Sequence, residues 1–197
     1  MSSSISFNPM LTTSAADTFL LSTAGYTQGD FLADPAARMW LVEGQVVNTA
    51  SAPLWAGIPV TETTPASGAT TSSTPTIAAA TAETNITAFT VANQAYAGVI
   101  VPGSTAPLWY AGMTMSYLRL GSNARIVVAV DSGAVSALTG AATDVTVYWD
   151  FVNNALTNSG STALPVKFRG IDSNSKVFTY SSGSATWSVG SVAIIQI

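Results

Sequence analysis

The sequence predicts a mainly β protein: an antiparallel β-sandwich or barrel, preceded by an extended N-terminal arm that carries one short helix. Three observations lead there. From Ile86 onward, short alternating or β-branched runs recur, separated by turns rich in Gly, Pro and Asn. Charged residues make up 8% of the chain, against about 25% in an average soluble protein, and Ser and Thr take their place. Cysteine is absent, so no disulfide or thiolate site supports the fold and packing must do so. Disordered chains combine high charge with little apolar content. Here 48% of residues are apolar and the mean hydropathy is +0.38, which indicates a folded chain with much of its surface covered, naturally by a partner subunit.

A chain of 197 residues buries one good-sized core, and the text divides into three stretches. Residues 1–60 read as the arm. In it, "TFLLSTAGY" (Thr18 to Tyr26) predicts a short strand, and "ADPAARMWLV" predicts a helix with Asp34 as N-cap and Pro35 at the first helical position. Residues 61–85 are a Thr/Ser/Ala-rich tract; a long surface loop is preferred over a mucin-like stalk, a flexible linker or a polar β-ribbon. Residues 86–197 form the β domain. Its strands are "FTVANQAYAGVIV", "MTMSYLRL", "RIVVAVD" and "DVTVYWDFV", then "LPVKFRGI", "DSNSKVFTY", "ATWSVG" and "VAIIQI". In the fourth, Val145, Val147, Trp149 and Phe151 share one face. In the fifth, Val166 and Phe168 oppose Lys167 and Arg169.

The charge balance bears on partners. The six basic residues are scattered and the net charge is −4, so the clustered cations that displace phosphate counterions are missing and no direct nucleic-acid partner is expected. The opening residues lack a basic segment followed by an apolar run, which argues against a signal peptide. Without secretion, the sequon at Asn85 has no route to glycosylation. The longest uncharged run, between Glu83 and Arg119, holds Asn93, Gln94, Pro102, Gly103 and Pro107 and suits no membrane helix. A soluble chain made in a reducing cytoplasm is the expectation.

Enzymatic readings are narrowed by residue type. With neither His nor Cys, Ser-His-Asp triads, Cys-His dyads and imidazole zinc sites are excluded. Carboxylate chemistry at Asp131, Asp144 and Asp150 remains conceivable. Asp131 and Asp144 sit where Asp closes turns, however, and Asp150 is expected to meet Arg119 or Arg125 across the sheet. "DSNS" (Asp172 to Ser175) reads as an Asx turn rather than a calcium site, because Lys176 adjoins a single carboxylate. No cofactor and no metal are expected.

One phrase occurs twice: "APLWAG" from Ala52 and "APLWYAG" from Ala106. A pair of sugar-stacking tryptophans would want Asp, Asn, Arg or Glu nearby, and both phrases are free of charge on either side. Apolar anchoring is the simpler account. From sequence, the anchors face either the chain's own core or a neighbour.

The runs "FTVANQAYAGVIV", "GMTMSYLRLGSNARIVVAV", "VTVYWDFVNNAL" and "ALPVKF" with the closing "AIIQI", together with "FNPMLTTSAADTFLLSTAGYTQGDFLADPAARMWLVEG" near the start, resemble the structural cement, or capsid decoration, proteins of tailed bacteriophages. The likeness spans most of the chain and is weakest in the Thr/Ser/Ala tract. It implies a non-enzymatic virion protein, made in the host bacterial cytoplasm and placed on the outer capsid surface. There it would bridge neighbouring major capsid subunits and associate with itself as a dimer or trimer. On that reading Leu54, Trp55, Leu108, Trp109, Tyr110 and Met113 are the candidate interface residues, with at least one at a subunit contact. A tail-fibre or adhesive receptor-binding β module is the second reading, and a carboxylate hydrolase the third.

Overall fold

A computed structural model describes residues 25–32, 40–47, 49–50, 52–65, 74–92, 107–181 and 183–197. The fold is mainly β. Its strands are β1 (Phe31–Leu32), β2 (Leu41–Val46), β3 (Pro59–Thr63), β4 (Thr76–Ala79), β5 (Ala88–Thr90), β6 (Thr114–Arg119), β7 (Arg125–Ala129), β8 (Tyr148–Asp150), β9 (Ala155–Thr157), β10 (Lys167–Ser181) and β11 (Ser184–Gln196). One helical turn, Val135–Leu138, follows β7.

Five of these strands close a barrel in the order β2, β4, β3, β5, β6. Every pairing is antiparallel except β2 with β4. Closure removes the exposed strand edges at which chains pair with one another. The interior is filled by alternate residues, among them Val46, Val60, Ile77, Ala88, Met115 and Tyr117, as a two-residue side-chain period requires. The opposite face of β5 and β6 carries Phe89 and Leu118, which stand directly opposite each other. These two belong to a second core with Ile126, Val128, Phe168, Ala193 and Ile195. The β5–β6 wall thus packs on a four-stranded sheet ordered β1, β7, β11, β10, and β7 with Val192, Ala193 and Ile195 of β11 is buried at its centre.

The sheet is dominated by the long β10–β11 hairpin, 15 and 13 residues. Two register shifts, at Phe168/Gly170 and Asp172/Ser175, are bulges, and bulges bend a strand and sharpen its twist. The expected Asx interaction is present at the second: Asp172 Oδ1 accepts from Asn174 N–H at 2.9 Å and Ser175 Oγ at 2.8 Å. It does not reverse the chain. "LPVKFRGI" and "DSNSKVFTY", read as separate strands, merge into β10, and "ATWSVG" and "VAIIQI" merge into β11, because the bulge absorbs the polar residues without ending the ladder.

Other expectations change as well. The Thr/Ser/Ala tract, expected as a loop over 61–85, contributes the end of barrel strand β3 and all of β4 in its described residues; Ile77 supplies the burial that so polar a stretch conceals. Of the expected helix "ADPAARMWLV", residues 33–39 lie outside the described residues, while Leu41 and Val42 open strand β2. The expected strand Thr18 to Tyr26 lies outside except for Gly25 and Tyr26. "FTVANQAYAGVIV" contributes Phe89 and Thr90 to β5, and its residues 93–101 lie outside the described residues. In "DVTVYWDFV" only Tyr148–Asp150 is strand, although Val147 and Trp149 are buried on one side as the alternation requires. Among the described residues no helix is long and apolar enough to cross a membrane.

Candidate functional site: a tryptophan ladder between barrel and hairpin

The two APLW phrases find each other. Leu54 and Trp109 form an antiparallel bridge, with Leu54 N–H donating to Trp109 O at 2.8 Å and Trp109 N–H donating to Leu54 O at 2.9 Å. The same register sets Trp55 opposite Leu108. Leu therefore faces Trp in both rungs, and the repeated words are related by a local two-fold.

Alternation sends the two rungs to opposite sides. Leu54 and Trp109 enter the barrel core beside Ile58, Met115 and Tyr117. Leu108 and Trp55 turn to the long hairpin, where they join Phe178, Ala185, Tyr180 and Trp187. Trp55 stacks on Phe178 with centroids 4.9 Å apart and planes 15° apart, and on Tyr180 at 5.5 Å and 27°. Trp187 meets Phe178 edge-on at 5.7 Å and 87°. Such offset and edge contacts add roughly 0.5–1.5 kcal/mol each beyond burial.

Each phrase leaves the ladder through a glycine and enters a barrel strand. Gly57 and Gly112 both have φ of +83°, a conformation that costs other residues about 1–3 kcal/mol. Gly57 leads into β3 and Gly112 into β6. A buried hydroxyl anchors the first exit: Thr90 Oγ1 donates toward Trp55 O at 2.7 Å and accepts from Ile58 N–H at 3.0 Å.

Of the six candidate interface residues, Leu54, Leu108 and Trp109 are 2%, 0% and 3% exposed and face the chain's own cores. Trp55, Tyr110 and Met113 keep partial exposure. Sequence reading did not single out Trp40, Val152 and Val189 as surface positions, yet they are 60%, 89% and 42% exposed. Trp40 sits in an apolar run that reads as core, and Val152 at a loop tip whose place only the turn geometry reveals.

The acidic residues also settle into specific roles. Asp150 does not meet Arg119 or Arg125. It closes the β8–β9 loop, accepting from Val152 N–H at 2.8 Å, Asn153 N–H at 3.2 Å and Asn153 Nδ2 at 2.7 Å. Burial pushes its pKa upward, but the bonds from Asn153 and Val152 prevail and hold it below the usual carboxylate value. Arg119 instead grips Glu62, which also accepts from Tyr117 Oη at 2.7 Å. The side chains of Glu62, Tyr117 and Arg119 share the inward parity of β3 and β6, so this cluster plugs one end of the barrel. The hydrogen bond from Arg119 lowers the Glu62 pKa, and burial raises that of Tyr117. Asp144 pairs with Arg169 at 3.1 Å. Among the described residues, no three His, Cys, Asp or Glu side chains gather in a way that could hold a metal ion.

No protein-family model, curated protein or solved structure matches this chain.

Proposed function

We propose that this chain is a non-enzymatic structural protein of a tailed-phage particle, seated on the outer surface of the head, where it cements neighbouring major capsid subunits. The observation that carries the reading is the character of the surface. The chain has only 6 basic and 10 acidic residues, and four of these charges are spent on internal pairs, Glu62 with Arg119 and Asp144 with Arg169. Among the described residues, most exposed positions are Ser, Thr, Asn, Gly and isolated apolar residues. Such a surface docks on several protein neighbours with few ions to desolvate, and a rigid body touching more than one subunit gains by multivalency. The resemblance to capsid decoration proteins supports the same reading.

Burial of Leu54, Leu108 and Trp109 makes them the scaffold, so contacts are assigned to Trp40, Val152 and Val189, with Trp55, Tyr110 and Met113 as partial contributors. The test is stoichiometry. Quantitative mass spectrometry of purified particles of the source phage would find this chain at copy numbers of the same order as the major capsid protein. A handful per particle would move it to the tail, and absence would overturn the proposal.

A further inference from the structure

Beside the tryptophan ladder lies a cavity of about 310 Å³. Four distant stretches build it. Trp55 comes from the first APLW phrase, Asp131 and Ser132 from the turn after β7, Asn154 from the β8–β9 loop, and Thr179 and Tyr180 from β10. Phe178, 8% exposed and parallel to Trp55, supports the aromatic side.

We infer that this cavity is a carbohydrate-binding site for a neutral pyranose, such as the end of a surface glycan. A hexose ring has an apolar C–H face, which aromatic rings cover, and a rim of hydroxyls, which carboxylates and amides bind in pairs. Both chemistries are present. Trp55, stacked on Phe178 and Tyr180, and Tyr180 itself supply aromatic surface to the lining. Asp131 makes no side-chain hydrogen bond or ion pair among the described residues, so its carboxylate is available as an acceptor. Asn153 spends its amide nitrogen on Asp150, which leaves its carbonyl oxygen, and Asn154 is held at φ of +51°, a conformation Asn tolerates.

The lining also sets the class of ligand. Among the described residues Asp131 is the one charged member of the lining, so phosphates, uronic acids and sialic acids meet a like charge there. A quaternary ammonium ion is better held by rings facing inward from several sides, whereas these rings lie within 27° of parallel. The volume lies at the lower end of ligand pockets, roughly 300–1,000 Å³, and suits one or two sugar rings. In the sequence, sugar binding is disfavoured because both APLW phrases are free of charge on either side. The fold brings a charge and amides there from residues 131, 153 and 154.

A sugar site here would give a shell protein a second role in adhesion, and it shares Trp55 and Val152 with the proposed capsid contacts. Its test is saturation-transfer NMR on the full chain with the methyl glycosides of glucose, galactose, mannose and N-acetylglucosamine, alongside glucuronic acid and choline. Transfer to the ring C–H protons of at least one neutral sugar is expected, with millimolar affinity and none to glucuronic acid. Asp131→Ala, at a side chain with no internal partner, should keep its circular dichroism and melting temperature and bind about tenfold more weakly, roughly 1.4 kcal/mol. Tyr180→Ala should weaken binding as well, and Trp40→Ala, outside the cavity, should leave it unchanged. The inference is overturned by no transfer from any of the four sugars, by transfer that survives both cavity variants, or by choline binding more tightly than the sugars.

Discussion

At the scale of single residues, buried polar groups and special backbone angles decide the most. Thr90 is fully buried, and its hydroxyl serves Ile58 N–H and the carbonyls of Trp55 and Ile58. Thr90→Val keeps the shape and strands those partners, so a loss of about 1–3 kcal/mol is expected, to be read from urea unfolding midpoints. Gly57 is constrained twice. Its φ is positive, and an added Cβ would lie 2.7 Å from Gln28 Cγ and 3.0 Å from Gly29 N. Gly57→Ala is therefore expected to cost more than the roughly 1–3 kcal/mol of the backbone angle alone. Gly112→Ala, at the same φ, is the companion variant. A Gly57 variant as stable as the parent would show that the turn does not hold the ladder.

At the scale of elements, the ladder and the barrel plug are the units. Trp109 fills the barrel from the ladder, and Trp109→Ala is expected to cost about 3–5 kcal/mol as a large-to-small core change. For a chain of this size that lowers the melting temperature by roughly 10–15 °C, measurable by calorimetry. The plug carries a pH dependence. The folded pKa of Glu62 lies below its unfolded value, so its contribution is fully present above the unfolded pKa of 4.5 and disappears as pH falls through the folded pKa. Glu62→Gln should flatten the stability profile below about pH 4.5 and destabilise by no more than about 1 kcal/mol at neutral pH, because Arg119 is half exposed to solvent. An unchanged acid limb in this variant would place the titration elsewhere.

At the scale of the whole molecule, stability and assembly should separate. Trp40 is 60% exposed, so Trp40→Ala should shift stability by no more than about 0.5 kcal/mol while reducing incorporation into particles, read as the ratio of this chain to the major capsid protein. Full incorporation of Trp40→Ala would remove that residue from the contact surface. Trp109→Ala should instead fail by unfolding, with no folded but assembly-defective product.

Much of the molecule was legible in the chain because it rests on local periodicity. The β-branched run at Arg125 to Asp131 and the alternation of Met115 and Tyr117 with Ser116 follow from the two-residue repeat of a pleated strand. The Asx interaction of Asp172 is likewise local. The Thr/Ser/Ala tract was misread because its strands owe their burial to partners far away in sequence: Ile77 packs inside a barrel that also needs Tyr117 and Val46. Asp150 was paired with the wrong charges because local capping geometry outcompeted a cross-sheet ion pair. The cavity beside Trp55 has no linear signature, since its polar and aromatic groups are contributed by four separate stretches.

By itself, the sequence determined that this chain is a β protein held by packing, without disulfides or histidine chemistry, and with a surface of hydroxyls in place of ions. Those are properties of composition and short-range pattern. Only the tertiary structure decided that the two APLW phrases pair with each other, and that one rung faces the barrel and the other the hairpin. It alone also decided that Asp131 and Asn154 line one cavity with Trp55. The physical reason is that strand pairing joins residues without regard to their separation along the chain, and a single residue of register settles which face each side chain occupies.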